Sequence, residues 1–235
     1  MPINLKFWKR RPSKQAWELP EMDKFTIPDH IKVYLIGFSY DTLTAQTFTW
    51  IKDILASRKV SQDKIVRFTD GKNCSKESLA KSLEDDNARV ELFCGHGCNG
   101  GLFGPPHAQP AGSILSDSNH VIYDMDMISF TPSAMFAFCC QAAQNFGRVF
   151  TSYKDRQFMG FKDDVPFPIE LYEDLKYVFQ TVAKDIIQQG RISAEHKAMF
   201  LEKLNEVESQ SASYQNPTLI EIWLDEYRKY LTTYL

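Results

Sequence analysis

No apolar run in these 235 residues approaches the roughly 18 that a membrane-spanning helix requires, so a helical membrane protein is excluded. Neither sign of charge is in excess. With 27 Lys and Arg against 30 Asp and Glu, a net charge of -3 and a pI near 6.0, there is no global basic field for nucleic acid and no acidic solvating tail. Cysteine is scarce and odd in number, five in all, without the regular spacing of a small secreted scaffold. Reduced thiols and a cytoplasmic location are therefore expected. The opening "MPINLKFWKRRPSKQ" is basic, but Gln, Glu and Pro follow it rather than the apolar core of a secretory signal. No internal repeat is visible. What remains is an ordinary globular composition, 43% apolar and 24% charged, sufficient to bury a sizeable core.

Residues 1–30 carry prolines and mixed charge without periodicity and read as an extended strap. "IKVYLIGF" (31–38) is a continuous β-branched and aromatic run, the pattern of a strand covered on both faces. Phe48, Ile51, Ile54 and Leu55 then share one helical face. "KIVRFTD" (64–70) predicts a second strand, Ser75 caps a helix carrying Leu79 and Leu83, and "RVELFC" (89–94) is a third strand. "SAMFAFCC" (133–140) is the fourth, while "GRVFTSY" and "QFMGF" each predict one more. From Pro168 onward three helices are expected, the second capped by Ser193 and the third opened by Asn216-Pro217. Strands alternating with helices predict an α/β fold, a mostly parallel sheet of about six strands with helices on both faces. The expected boundaries are 1–30 for the strap, 31–167 for the sheet domain, and 168–235 for C-terminal helices packed on that same domain.

In a parallel sheet, ligands gather at the carboxyl ends of the strands. Two chemically active residues fall at such ends. "ELFCGHGCNG" (91–100) runs from a strand into a glycine-flanked His96, and "FAFCC" ends in Cys140. If their strands are neighbours the pair forms a dyad, with a thiolate as nucleophile toward an acyl carbon and an imidazole to carry the proton. Glycine beside the histidine lets backbone N–H groups approach a reacting oxygen without a side chain in the way. Residues 98–120, rich in Gly, Pro, Ser and Asn, are too many for a mere connector. They are expected to border the cleft and to order when substrate or activator binds.

"ELFCGHG" resembles the strand-then-His-Gly block of the caspase-like cysteine peptidases, the group of caspases, metacaspases, legumains, gingipains and CHAT-domain proteases. "FAFCCQAA" is similar to their second block, an apolar strand ending in Ala-Cys or Cys-Cys. The likeness covers roughly residues 30–165, and the order and spacing of the two blocks match. It implies a cysteine endopeptidase without cofactor or metal, with Cys140 as nucleophile, His96 as general acid/base, and the backbone N–H groups of Gly97 and Cys140 as oxyanion donors. The Asp with which metacaspases help bind a basic P1 side chain is Phe138 here, and their Ser-Gly after the nucleophile is Ala142-Ala143. Asp41, in the loop after the first strand, stands where members selective for basic residues often place an acid. Asp41 and Phe138 are thus the expected substrate-binding pair. The implied partners are a protein or peptide substrate and a regulatory protein or oligomer, with no nucleic acid and no membrane. The short stretch after the nucleophile predicts a single-chain enzyme rather than one cut into two subunits.

Two alternatives belong to other classes. Cys94, His96 and Cys98 with a cysteine of the next strand could hold zinc, although a one-residue gap between Cys94 and His96 is tighter than structural zinc sites use. An inactive caspase-like interaction module is the other. Cys139 must point away from Cys140 on a strand of period two and, with Cys94 and Cys74, is read as a small core hydrophobe. His30, His107, His120 and His196 are expected on the surface.

Overall fold

The computed structural model describes residues 16–17, 27–37, 42–55, 65–68, 88–99, 101–103, 120–123, 133–153 and 155–235. The apolar runs form the main sheet as expected: β1 (Ile31–Gly37), β2 (Ile65–Phe68), β3 (Ala88–Cys94), β7 (Ser133–Phe138) and β8 (Gln157–Phe161). A final strand, β9 (Leu231–Tyr234), closes one edge. The order is β2-β1-β3-β7-β8-β9, parallel throughout except for β9, which runs antiparallel to β8. Beyond the carboxyl end of β3 lies a second sheet of three short antiparallel strands, β4 (Gly97–Cys98), β5 (Gly101–Phe103) and β6 (His120–Tyr123). The stretch read as too long for a mere connector is therefore partly paired. Its remainder lies outside the described residues, as do the expected helix after Ser75, Cys74, His107 and most of the N-terminal strap.

Helices cover both faces of the sheet. On one face α1 (Thr42–Leu55) packs with α3 (Tyr172–Gln189), α4 (Ala194–Glu208) and α5 (Pro217–Tyr230). Trp50, Phe136, Phe138, Phe179, Phe200 and Tyr227 form the aromatic centre of that layer. On the other face α2 (Phe146–Thr151) sets Phe146 and Phe150, four residues apart and hence one above the other, against Phe158 of β8.

Three sequence expectations are corrected here. "GRVFTSY" forms most of α2 and no strand, and Phe146 and Phe150 are both buried one helical turn apart. The last residues leave the helical pattern after Tyr230, where the open edge of β8 offers backbone partners that Leu231–Tyr234 take. The three C-terminal helices otherwise follow the expected signals. Asn216 caps α5 through Leu219 N–H, with Pro217 in its first turn, and Ser193 caps α4. His196 is not on the surface but fully buried, completing the Ser193 capping box. Gly190, at φ +66, ends α3 in the left-handed conformation that glycine adopts without cost.

Candidate functional site

β3 and β7 are hydrogen-bonded neighbours, and their register aligns Cys94 with Phe138. Two residues further along each chain stand His96 and Cys140. Both are half-buried, where the chain leaves the sheet at its carboxyl end. The two exits are also in contact. A Cβ atom added to Gly97 would lie 2.6 Å from the Cys140 carbonyl oxygen and 2.7 Å from Cys139 Sγ, so only glycine lets the backbones approach this closely.

Cys139 and Cys140 diverge as the pleat requires. Cys139, 4% exposed, belongs to the α2 face with Ala142, Ala143 and Phe146. Cys140 instead directs its thiol to the Val165 carbonyl, 3.9 Å away. The next residue, Gln141, has φ +56, unusual for a residue with a side chain, and turns the chain sharply away from the strand. That turn is held on three sides. Gln141 N–H donates to the Asp163 carbonyl at 3.2 Å, its carbonyl accepts from Gln144 N–H at 3.0 Å, and its amide donates to Asp164 Oδ1 at 2.9 Å.

The segment after β8, "KDDVPFP" (162–168), thus forms the floor beside the thiol. Its placement comes from the last turn of α5. Tyr227 donates its hydroxyl to the Pro166 carbonyl, and Lys162 N–H donates to the Tyr230 carbonyl at 2.9 Å. Burial pushes the Cys140 thiol above its ordinary value, and the Asp164 and Asp163 carboxylates push it further in the same direction. Cys140 therefore rests as a protonated thiol at neutral pH and needs a base to become a nucleophile. Sequence reasoning missed Asp163, Asp164 and Val165 as neighbours of Cys140. The available signal was a pair of carboxylates immediately after the strand "QFMGF".

Phe138 does not line a cleft, which corrects the expectation that it contacts substrate. It is 3% exposed and packs its ring against Trp50, Phe161, Phe167, Phe179 and Tyr227. Asp41 lies outside the described residues. None of Cys94, Cys98, Cys139 and Cys140 is in a disulfide, and Cys94 and Cys139 are buried on opposite faces of the sheet. Among the described residues no group of three or more His, Cys, Asp and Glu is placed to hold a metal ion. No helix among them is long and apolar enough to cross a membrane.

No family model matches the chain, and no curated protein matches its sequence.

Proposed function

We propose that the protein is a caspase-like cysteine endopeptidase acting through His96 and Cys140. The observation that carries this reading is the β3–β7 register, which brings a histidine and a cysteine to adjacent carboxyl ends of one parallel sheet, with Gly97 against the Cys140 carbonyl. His96 takes the Cys140 proton as the sulfur attacks the substrate carbonyl, and the carbonyl π electrons move onto oxygen. Backbone N–H groups of Gly97 and Cys140 receive that oxyanion. Collapse of the tetrahedral adduct breaks the C–N bond, and the imidazolium gives its proton to the departing amine. Water, activated by the same imidazole, then hydrolyses the thioester and restores the thiol. The substrate is an extended polypeptide bound beside the sheet. Asp41 is the residue through which a basic P1 side chain would be selected, and a regulatory protein or oligomer controls the enzyme in the cytoplasm. α2 occupies six of the residues between β7 and β8, which favours a single-chain enzyme over one processed there.

The raised Cys140 thiol favours a second reading, an inactive interaction module on the same framework. Peptide-library hydrolysis with wild type, Cys140→Ala and Cys139→Ala separates the two. Under the peptidase reading Cys140→Ala loses all turnover while Cys139→Ala retains most of it. Equal loss in both folded variants removes the dyad assignment. A wild type that cleaves no peptide and resists iodoacetamide at Cys140 leaves the inactive module.

A further inference from the structure

Next to the strand ends is a polar cavity of about 600 Å³ lined by Asn99, Gln144, Asn145, Arg148, Lys162 and Tyr234. Among the described residues its lining holds two cations and no carboxylate, in a chain whose net charge is -3. Among the described residues neither Arg148 nor Lys162 is engaged in an ion pair. Tyr234 organises the wall. Its hydroxyl donates to the Ala143 carbonyl at 2.7 Å, and Lys162 Nζ stands 6.0 Å from the centre of its ring. Three side-chain amides complete the lining, groups that donate and accept alike.

The cavity is tied to both halves of the candidate dyad. Asn99 lies three residues after His96, and its carbonyl accepts from Phe146 N–H at 2.9 Å at the start of α2. Ala143, which receives the Tyr234 hydroxyl, lies three residues after Cys140. Lys162 precedes Asp163, whose carbonyl holds the Gln141 turn. Part of the cavity lining thus comes from chain segments that follow His96 and Cys140 within a few residues.

We propose that the cavity binds an acidic side chain of the polypeptide substrate, its carboxylate placed between Arg148 and Lys162 and the neighbouring peptide backbone met by the Asn and Gln amides. This rests on the peptidase reading for the supply of an extended peptide. Two cations with mixed amide donors and acceptors suit a carboxylate attached to a peptide, since the amides can answer the backbone N–H and C=O groups that an isolated anion lacks.

The test uses the full chain with Cys140→Ala, so that no turnover interferes, and a short fluorescein-labelled peptide containing Glu-Glu beside its Gln-Gln counterpart, read by anisotropy. The expected preference for the Glu peptide is about tenfold at low salt, shrinking as ionic strength rises. Arg148→Gln and Lys162→Gln, both at exposed positions, are each expected to weaken Glu-peptide binding about three- to fivefold, while the exposed Arg191→Gln leaves it unchanged. Equal binding of the two peptides, or equal weakening by all three substitutions, overturns the proposal. So does displacement of the Glu peptide by inorganic phosphate at the same concentration as unlabelled peptide, which marks a general anion site. Selective binding of the Glu peptide by a protein that hydrolyses nothing in the peptide library and resists iodoacetamide at Cys140 keeps the acidic-peptide site and removes the peptidase reading, so the two failures are distinct.

Discussion

Gly97 and Cys140 touch through their backbones: a Cβ on the glycine would stand 2.6 Å from the cysteine's carbonyl oxygen. Neither neighbour at that point can yield easily, because one is main chain leaving β7 and the other is the buried Cys139 sulfur. Gly97→Ala must therefore push the β3 and β7 exits apart. Overpacking of this kind costs about 1–3 kcal/mol, and under the proposed mechanism the displaced histidine loses its reach to the thiol. Chemical denaturation and peptide hydrolysis together check this. The expected result is a folded, modestly destabilised protein whose activity falls by more than about tenfold, as a misplacement of the reacting groups would cause. Unchanged turnover would show that the contact does not position the dyad.

The carboxylates near the thiol give a second prediction. Asp164 and Asp163 disfavour the Cys140 thiolate, so removing one negative charge must lower the thiol pKa toward its ordinary value. Asp164→Asn keeps the oxygen that accepts from the Gln141 amide, leaving the turn intact. Its Cys140 should react faster with iodoacetamide at neutral pH, with the whole rate profile displaced to lower pH. Added salt should narrow the difference, since Asp164 is exposed and its field is screened. A profile superimposable on that of wild type would count against electrostatic control of the thiol.

Phe138 and its neighbours along β7 sort by face. Phe138→Ala empties a site ringed by aromatic side chains and should destabilise the protein by about 3–5 kcal/mol. Cys139→Ala removes one buried sulfur and should cost about 1 kcal/mol. Cys140→Ala, at a half-buried strand end, should leave stability nearly unchanged. Urea denaturation of the three variants reads this order directly. A loss at Cys140 as large as that at Phe138 would place position 140 in the core instead of at a cleft.

The parallel strands were legible because a strand covered on both faces needs a nearly continuous apolar run, and "VYLIG", "VELFC" and "AMFAF" supply one each, the second broken only by Glu91. The placement of His96 and Cys140 beyond adjacent strand ends was legible for a related reason: each follows closely on such a run. The neighbours of Cys140 were not. Asp163, Asp164 and Val165 reach it through β8 pairing beside β7 and through Tyr227 holding Pro166, contacts between distant parts of the chain that no local pattern encodes. Phe138 was misplaced because substitution for an acidic family residue says nothing about burial, which the alternation with Phe136 and Ala134 would have supplied. β9 escaped because its Leu-Thr-Thr-Tyr continues the aromatic rhythm of α5, and only the vacant edge of β8 makes it a strand.

His196 yields the last prediction. It sits with no exposed surface at the start of α4, where its Nδ1 accepts the Ser193 N–H at 2.9 Å and approaches the Ser193 hydroxyl at 3.0 Å. Its Nε2 stands 3.1 Å from Asp185 Oδ2 of α3. Burial lowers its pKa, while Asp185, the Ser193 contact and Glu195 oppose that shift without reversing it. The capping geometry agrees, since an Nδ1 that accepts a backbone N–H cannot also carry a proton. The unfolded chain therefore binds the histidine's proton before the folded one does. This contribution to stability is complete above the unfolded value of about 6.5 and is lost as pH falls from there through the lower folded value. His196→Gln provides the control, because glutamine at this position can still close a capping box but cannot titrate. Thermal melts across that range should show wild type losing more stability than His196→Gln as the solution is acidified, with the two curves converging above neutrality except for a constant packing difference. Titration of carboxylates remote from His196 is common to both proteins and cancels in the comparison, leaving the His196–Asp185 pair as the source of the difference. Parallel curves throughout would mean that His196 keeps the same proton affinity folded and unfolded, contrary to its burial.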